Sequence, residues 1–537
     1  MERRWLRAGW AAVIPVLIMP IADPDLWWHL SAARWMIDHF AWLRTDALAA
    51  TQSGLEWINF EWLSQLAFYG AGWTGGLTGL WLLKILLLAG TGAALLRTLR
   101  HIGVPPPARA LGFAVWAAAM AARSDIRTEL FSFVLFAWLL CGLERKGRVR
   151  MPPAAALFMF AFWSNLHAGF IYGLLLLAAY AYEDYRRGGN SGLLTCWLAA
   201  AAGTFINPYG WGVHRVLVRH ALETGGLAPY IDEWGPLAVS NSAHWPVWLL
   251  MLGLAALAAR RLRRRAALPL GPAILLVVFA AAALRHSRLA PYFALCAVVY
   301  VFRFAAGDRE VMDAVNRGRT AALALVLVAV FALWQGGARV AGGIFSDVYT
   351  PVRAAAYLER HPELAGLRLY SAWGWGGYLG YRLGGRVRLL QDGRYIFHSL
   401  LMEGGAAAEK PDVWQVFLKR RGADAALLQN RPTMMGTTRV YPDGSRRAIP
   451  RPYYIQYMPR PSWALVYWDE KALLFVRRER LKDTELAPLE YQLLLPRDGA
   501  ARQDALARGE ISREQLKKER LRLRAETADP PRRPALR

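Results

Sequence analysis

The chain has 537 residues, 55% of them hydrophobic, and a formal net charge of +25. A soluble globule of this length would alternate polar and apolar faces, whereas here apolar runs of about 16 to 22 residues carry almost no charge, the mark of membrane-spanning segments. The basic excess then reports topology rather than a nucleic-acid partner.

Taken in chain order, spans are expected near 6–22, 77–97, 108–122, 129–143, 153–164, 168–182, 191–206, 245–259, 268–284, 289–304 and 321–338. Lipid offers peptide groups no partner, so each must be a helix, giving a polytopic α-helical membrane protein of about 11 spans. Arginine clusters fall on alternate connections: Arg3, Arg4 and Arg7, then Arg97 and Arg100, ERKGRVR (144–150), EDYRRGG (183–189), RRLRRR (260–265) and the segment 303–319. The positive-inside rule puts these in the cytoplasm, with the N-terminus, and leaves the C-terminal third outside. Residues 1–22 alternatively read as a signal peptide, although no small-x-small cleavage site follows. Cys141, Cys196 and Cys296 all fall in expected spans, so no disulfide is expected.

The opposite connections hold side chains capable of chemistry. The first is IADPDLWWHLSAARW (21–35), with Asp23 and Asp25 and, a helical turn on, His29. Glu61 follows, then Arg123, Asp125, Arg127 and Glu129, then Asn165 and His167. Asn207 and His214, Asp232 and Glu233, and Arg285, His286 and Arg288 complete this polar layer. A transporter places ionisable groups midway through its spans, but these sit at span ends. Lys84 is the exception, on a stem long enough to snorkel. Plainer roles stay open for each: helix N-capping for Asp23 or Asp25, interfacial anchoring for Trp27 and Trp28, interhelical bonding for Asn165 and His167, and headgroup contact for Arg285 and Arg288.

Residues 1–340 thus form a transmembrane domain, and 341–480 alternate helix and strand. PVRAAAYLERHP is an amphipathic helix, LRLYSA and RVRLLQ are strands, VWQVFLKRRG is a helix closed by glycine, ADAALLQ is a strand, and WALVYWDEKALLFVRR is a hairpin. That order predicts a small α/β domain. WGWGGYLGYRLGG (373–385) sets tryptophans among glycines as a stacking surface, and QDGRY (391–395) puts an acid and a base on a tight turn. No G-x-G-x-x-G follows a strand to open a helix, which disfavours a dinucleotide site. Residues 481–537 form a charged tail, with REQLKKERLRLRAE a solvated or surface-lying helix and DPPRRPALR disordered.

An Asp-Pro with aromatics in the first outer loop (DPDLWWHL) and an α/β domain after the last span resemble the GT-C glycosyltransferases. Within that group the chain is most similar to the catalytic subunits of oligosaccharyltransferases, whose WWDYG motif has a loose counterpart, lacking the acid, in WGWGGYLG. DPDLWWHL, NFEWL, SNLHAGF, NPYGW, DEWGP, WGWGGYL and DGRY together also resemble a family of bacterial membrane proteins. The resemblance implies a multi-pass protein of the bacterial inner membrane with a periplasmic α/β domain. It implies inverting transfer of a sugar or glycan from a polyprenyl-phosphate-linked donor to an extracytoplasmic protein or glycan. Asp23 would then be the catalytic carboxylate, with Asp25 second. Asp125 and Glu129 would join Asp23 in holding Mg²⁺ or Mn²⁺. His29, His167, Arg285 and Arg288 would bind the donor phosphate, and Trp373, Trp375, Tyr378, Asp392 and Arg394 would face the acceptor. Two other classes stay open: a transporter of lipid-linked glycans, and a non-catalytic assembly factor whose outer domain binds a partner.

Overall fold

The computed structural model describes residues 2–51, 54–145, 151–189, 192–223, 226–266, 268–306, 308–340, 342–440 and 444–528. Part of the arginine-rich ERKGRVR (146–150) and the terminal DPPRRPALR (529–537) lie outside the described residues.

The N-terminal part is helical: α1 (Glu2–Leu17), α2 (Leu26–His39), α3 (Trp62–His101), α4 (Pro106–Met120), α5 (Glu129–Leu143), α6 (Pro153–Leu166), α7 (Phe170–Arg186), α8 (Leu193–Gly203), α9 (Gly212–Glu223), α10 (Trp245–Arg263), α11 (Leu270–Arg285), α12 (Ala290–Ala305), α13 (Arg309–Asn316) and α14 (Gly318–Val340). Among the described residues, four stretches are long and apolar enough to cross a membrane: Trp62–His101, Ser242–Arg263, Ser287–Ala305 and Gly318–Gln335. Glu129–Leu143, Pro153–Leu166, Leu193–Gly203 and Leu270–Arg285 are shorter apolar helices. The segment expected as span 77–97 is the second part of a longer helix, broken at Gly76, whose φ of +59° and ψ of −146° suit glycine. One large apolar core, running from Ala12 in α1 to Leu325 in α14, joins these helices.

The C-terminal part is α/β. It contains α15 (Val352–Arg360), β1 (Arg368–Ser371), α16 (Gly376–Leu383), β2 (Arg388–Leu389), α17 (His398–Ala407), α18 (Pro411–Arg420) and β3 (Ala425–Gln429). The hairpin β4 (Met434–Val440) and β5 (Arg446–Pro452), α19 (Tyr454–Tyr457), β6 (Trp463–Trp468), β7 (Ala472–Arg477), α20 (Asp483–Leu486), α21 (Gly499–Ala507) and α22 (Arg513–Ala528) complete it. The five-stranded sheet has the order β2-β1-β3-β7-β6. Its first three strands are parallel, while β3–β7 and β6–β7 are antiparallel. β3, β6 and β7 are buried almost throughout, which their unbroken apolar runs require.

Two further apolar cores form, and α2 contributes to both. Leu26, Trp27 and Leu30 belong to one, with Leu369 and Leu427 of the sheet. Trp28, Ala32 and Met36 belong to the other, with Phe397 and Leu473. Trp27 and Trp28 are therefore interior residues, 0% and 8% exposed, rather than interfacial anchors. The loop between α2 and α3 is stitched to the sheet edge as well: Ala50 N–H donates to Leu389 O (2.9 Å) and the Thr51 hydroxyl to Leu390 O (2.5 Å).

The tail does not lie free. Glu519 of α22 accepts backbone N–H bonds from Gln492, Leu493 and Leu494, and Arg522 lies 3.6 Å from the Tyr491 ring centroid. Leu516 is buried in the core that holds Trp463. The expected boundary at 480 is thus crossed by packing.

Candidate active site

A helix leaves its last carbonyls without partners. Just beyond the end of α1, α3 takes the next carbonyls: Trp81 Nε1 donates to Ile18 O (3.3 Å) and Met19 O (3.2 Å), and buried Lys84 donates its ammonium to Met19 O. The helix itself ends at Leu17, before the limit of 22 expected from hydropathy, and Lys84 has a structural task. The chain then runs extended between Phe345 and Asp125. Ile21 N–H donates to Ile344 O, Ser346 N–H to Ile21 O, and Ala22 N–H to Asp125 Oδ2, all at 2.8 Å. Asp23 Oδ1 accepts from Asp25 N–H (2.8 Å), and Asp25 Oδ1 accepts from Trp28 Nε1 (3.2 Å). Asp25 stands at the N-cap position of α2 but makes no side-chain cap bond, so capping does not account for its carboxylate.

Around this turn several inter-helix loops bring together a chain of alternating charge. Arg127 pairs with both Asp23 and Glu233. Arg123 pairs with Glu233 and, at 2.5 Å, with Glu129. Arg288 lies 4.0 Å from Glu233, with its guanidinium 4.5 Å from the Trp234 ring centroid. Glu61 accepts from the Thr128 hydroxyl (2.5 Å) and is 3.9 Å from His167 Nε2. Arg123, Arg127, Glu61 and Glu233 were legible as members of the polar layer, but their pairing depends on loops more than 100 positions apart. Arg285 does not join; it is exposed at the end of α11.

Burial and opposite charge divide the acids. Burial, with the neighbouring Asp23 carboxylate, pushes Asp25 up to about 8. Burial also pushes Glu61 up to about 7 and, helped by Asp23, Asp125 up to about 6. Burial acts on Glu233 too, but Arg123, Arg127 and Arg288 outweigh it and hold that carboxyl well below its ordinary value. His29 is 5% exposed, with its ring against Trp28 (3.6 Å) and Phe68 (5.9 Å). Burial, then Arg127 and His167, keep it neutral. Burial likewise brings His167 down to about 4. Both imidazoles are therefore neutral, each with one N–H to donate.

The α/β part closes the site from the other side. Parallel strands β1 and β2 end at WGWGG and QDGRY, the edge of an open α/β sheet where ligands characteristically bind. These loops press on the Asp23–Asp25 turn. A Cβ on Gly393 would lie 2.1 Å from Asp25 Oδ1, and one on Gly376 would lie 2.0 Å from Gln391 O. Only glycine allows both approaches.

The expected acceptor residues divide accordingly. Trp375 (6% exposed) and Tyr378 (0%) are core residues, the latter 5.0 Å from the Trp27 ring. Asp392 and Arg394 are interior: Arg394 donates to Asp392 Oδ1 (2.8 Å) and to buried Asp46 Oδ1 (2.7 Å), with Trp57 4.5 Å beneath it. They tie the loop between α2 and α3 to the sheet. Trp373 alone is half-buried, 5.9 Å from His398.

A divalent cation does not fit the expected ligands. Among the described residues no three His, Cys, Asp or Glu side chains converge as a metal site. Asp23 gives one oxygen to the Asp25 amide and the other to Arg127, Glu129 is held by Arg123, and Asp125 accepts two backbone amides. Asp23 is thus already paired with a guanidinium.

No family model and no curated protein matches the chain. Solved structures do. The archaeal oligosaccharyltransferase AglB from Archaeoglobus fulgidus, in complex with an inhibitory peptide and a dolichol-phosphate, aligns over 86% of this chain and 79% of its own, with a TM-score of 0.55 and 12% identity. The Archaeoglobus fulgidus oligosaccharyltransferase tethered to an acceptor peptide containing the NVT sequon gives a TM-score of 0.53 at the same identity and coverage. ArnT from Cupriavidus metallidurans in the apo state aligns over 91% of this chain and 98% of its own, with a TM-score of 0.49 and 13% identity. At such identity the likeness is one of architecture: the chain shares the fold of the archaeal oligosaccharyltransferase.

Proposed function

We propose that the protein is a membrane glycosyltransferase that moves a sugar or glycan, with inversion, from a polyprenyl-phosphate-linked donor to an extracytoplasmic protein or glycan. The observation that carries this reading is the first-loop pair Asp23/Asp25, held against Arg127, Glu233, Arg123 and Arg288 in a chain of oligosaccharyltransferase fold. AglB is described with a dolichol-phosphate, a lipid-linked phosphate of the class proposed here. About 11 spans would place the N-terminus in the cytoplasm and the α/β part in the periplasm of a bacterial inner membrane.

Asp23 is the organising carboxylate, since both its oxygens are engaged. Asp25 is the base: half-buried, beside Asp23, and raised to about 8, it is strong enough to take a proton. An acceptor O–H or N–H attacks the anomeric carbon, its proton passes to Asp25, and the C1–O bond to phosphate breaks. The polyprenyl phosphate leaves as an anion. Arg288, the arginine least engaged by acids, pairs with it, and Arg127 and Arg123 supply the surrounding positive field. His29 and His167 lie close by as neutral donors.

The test is release of polyprenyl phosphate from a panel of polyprenyl-phosphate-linked sugars, using purified protein and an extract of envelope acceptors. Transfer should fall by about 10² to 10⁴ in Asp25→Asn with unchanged thermal stability. Full activity in that variant would remove the assignment.

A further inference from the structure

The helical layer ends, on the side away from the acids, in a feature that the transfer reaction does not use. A cavity of about 390 Å³ opens between α1, α3, α4 and α5. Its walls are apolar and aromatic: Leu6 and Trp10 on one side, Leu96 and Trp138 on the other. Trp10 is fixed edge-on against Phe113, with centroids 4.7 Å apart. The rim is basic. It carries Arg97, Arg100 and Arg109 against a single acid, Glu2.

Arg109 is used by Glu2 at 3.0 Å. Arg97 lies 6.0 Å from the Trp138 ring centroid. Among the described residues neither Arg97 nor Arg100 makes an ion pair. Arg100, in the last turn of α3, would suit that helix's own dipole even without a cavity. An open volume with two tryptophan walls beneath these arginines is a separate observation, and it falls within the size range of small-molecule sites.

We propose that this groove is a binding site for an anionic phospholipid of the surrounding leaflet. The lipid phosphate meets Arg97 and Arg100 at the rim, and an acyl chain runs along Leu6, Trp10 and Leu96. The apolar walls add nothing for a free inorganic anion. A zwitterionic lipid brings its own ammonium against the net positive rim. The chemistry therefore selects a lipid that is both anionic and acylated. This proposal stands apart from the transferase reading, because it uses the opposite end of the helices.

The test uses the full chain in nanodiscs of mixed phosphatidylglycerol and phosphatidylcholine, followed by native mass spectrometry of the lipid retained on release into detergent. The unmodified protein should retain phosphatidylglycerol selectively. Arg97→Gln/Arg100→Gln should weaken that retention roughly 30-fold, the effect of two interfacial charges. Ala93→Trp, which fills the groove and leaves the charges in place, should abolish it too. Equal retention of both lipids by the unmodified protein would overturn the proposal, as would an undiminished preference in both variants. Displacement of phosphatidylglycerol from this site by added polyprenyl phosphate would overturn it as well, identifying the carrier lipid as the occupant.

Discussion

Asp25 is the group whose surroundings decide how the site works. With its carboxyl raised to about 8 by burial and by Asp23, it is mostly protonated at pH 6 and must ionise before it can accept a proton. Transfer should therefore rise about tenfold per pH unit below 8 and level off above it; a rate that is flat from pH 6 to 9 would exclude Asp25 as the base. Gly393 leaves no room for a side chain beside that carboxylate. Gly393→Ala should displace Asp25 and depress transfer by about 10² while the fold persists, since misplacing a reacting group by an ångström has that effect. Arg127 bears on the metal question. It occupies Asp23, so chelation with EDTA should leave the rate unchanged, whereas loss of activity restored by Mn²⁺ would show that the ion pair opens to admit a cation.

Helix α2 and the loop that follows it join the helical bundle to the sheet. Arg394 is the tie: it is 1% exposed and bonded to Asp46 from the loop and to Asp392 from the sheet edge. Arg394→Met would leave two buried carboxylates without a counter-charge, at a cost of about 3 to 5 kcal/mol. Thermal unfolding should shift down strongly, with transfer lost as the loop detaches from the sheet. An unchanged melting temperature would show that the loop is held elsewhere. This contact also marks the limit of sequence reading. Strands β1, β3, β6 and β7 announced themselves as short apolar runs bounded by turns, and α15 and α18 by their periodicity. The hairpin β4–β5 was missed because it is exposed over most of its length and includes Pro450 and Pro452, so no apolar alternation marks it. WGWGG looked like an open stacking surface, because periodicity does not reveal that α2 packs over it.

Over the full chain, an apolar helical bundle followed by an α/β part was legible from hydropathy and element order, because lipid and buried strands each impose strong patterns. The polar layer was legible as a set of loop residues. Its pairing was not, because which arginine meets which acid depends on how distant loops fold over one another. Asp125 and Glu129 are each satisfied by a partner of their own, and Arg285 is exposed. The direct test of the proposed chemistry is an experimental density map of the protein with bound polyprenyl phosphate. The phosphate should sit within hydrogen-bonding distance of Arg288, with the Asp25 carboxylate facing the space where the sugar would be. A phosphate bound elsewhere, with Asp25 remote from it, would refute carboxylate-assisted transfer at this site.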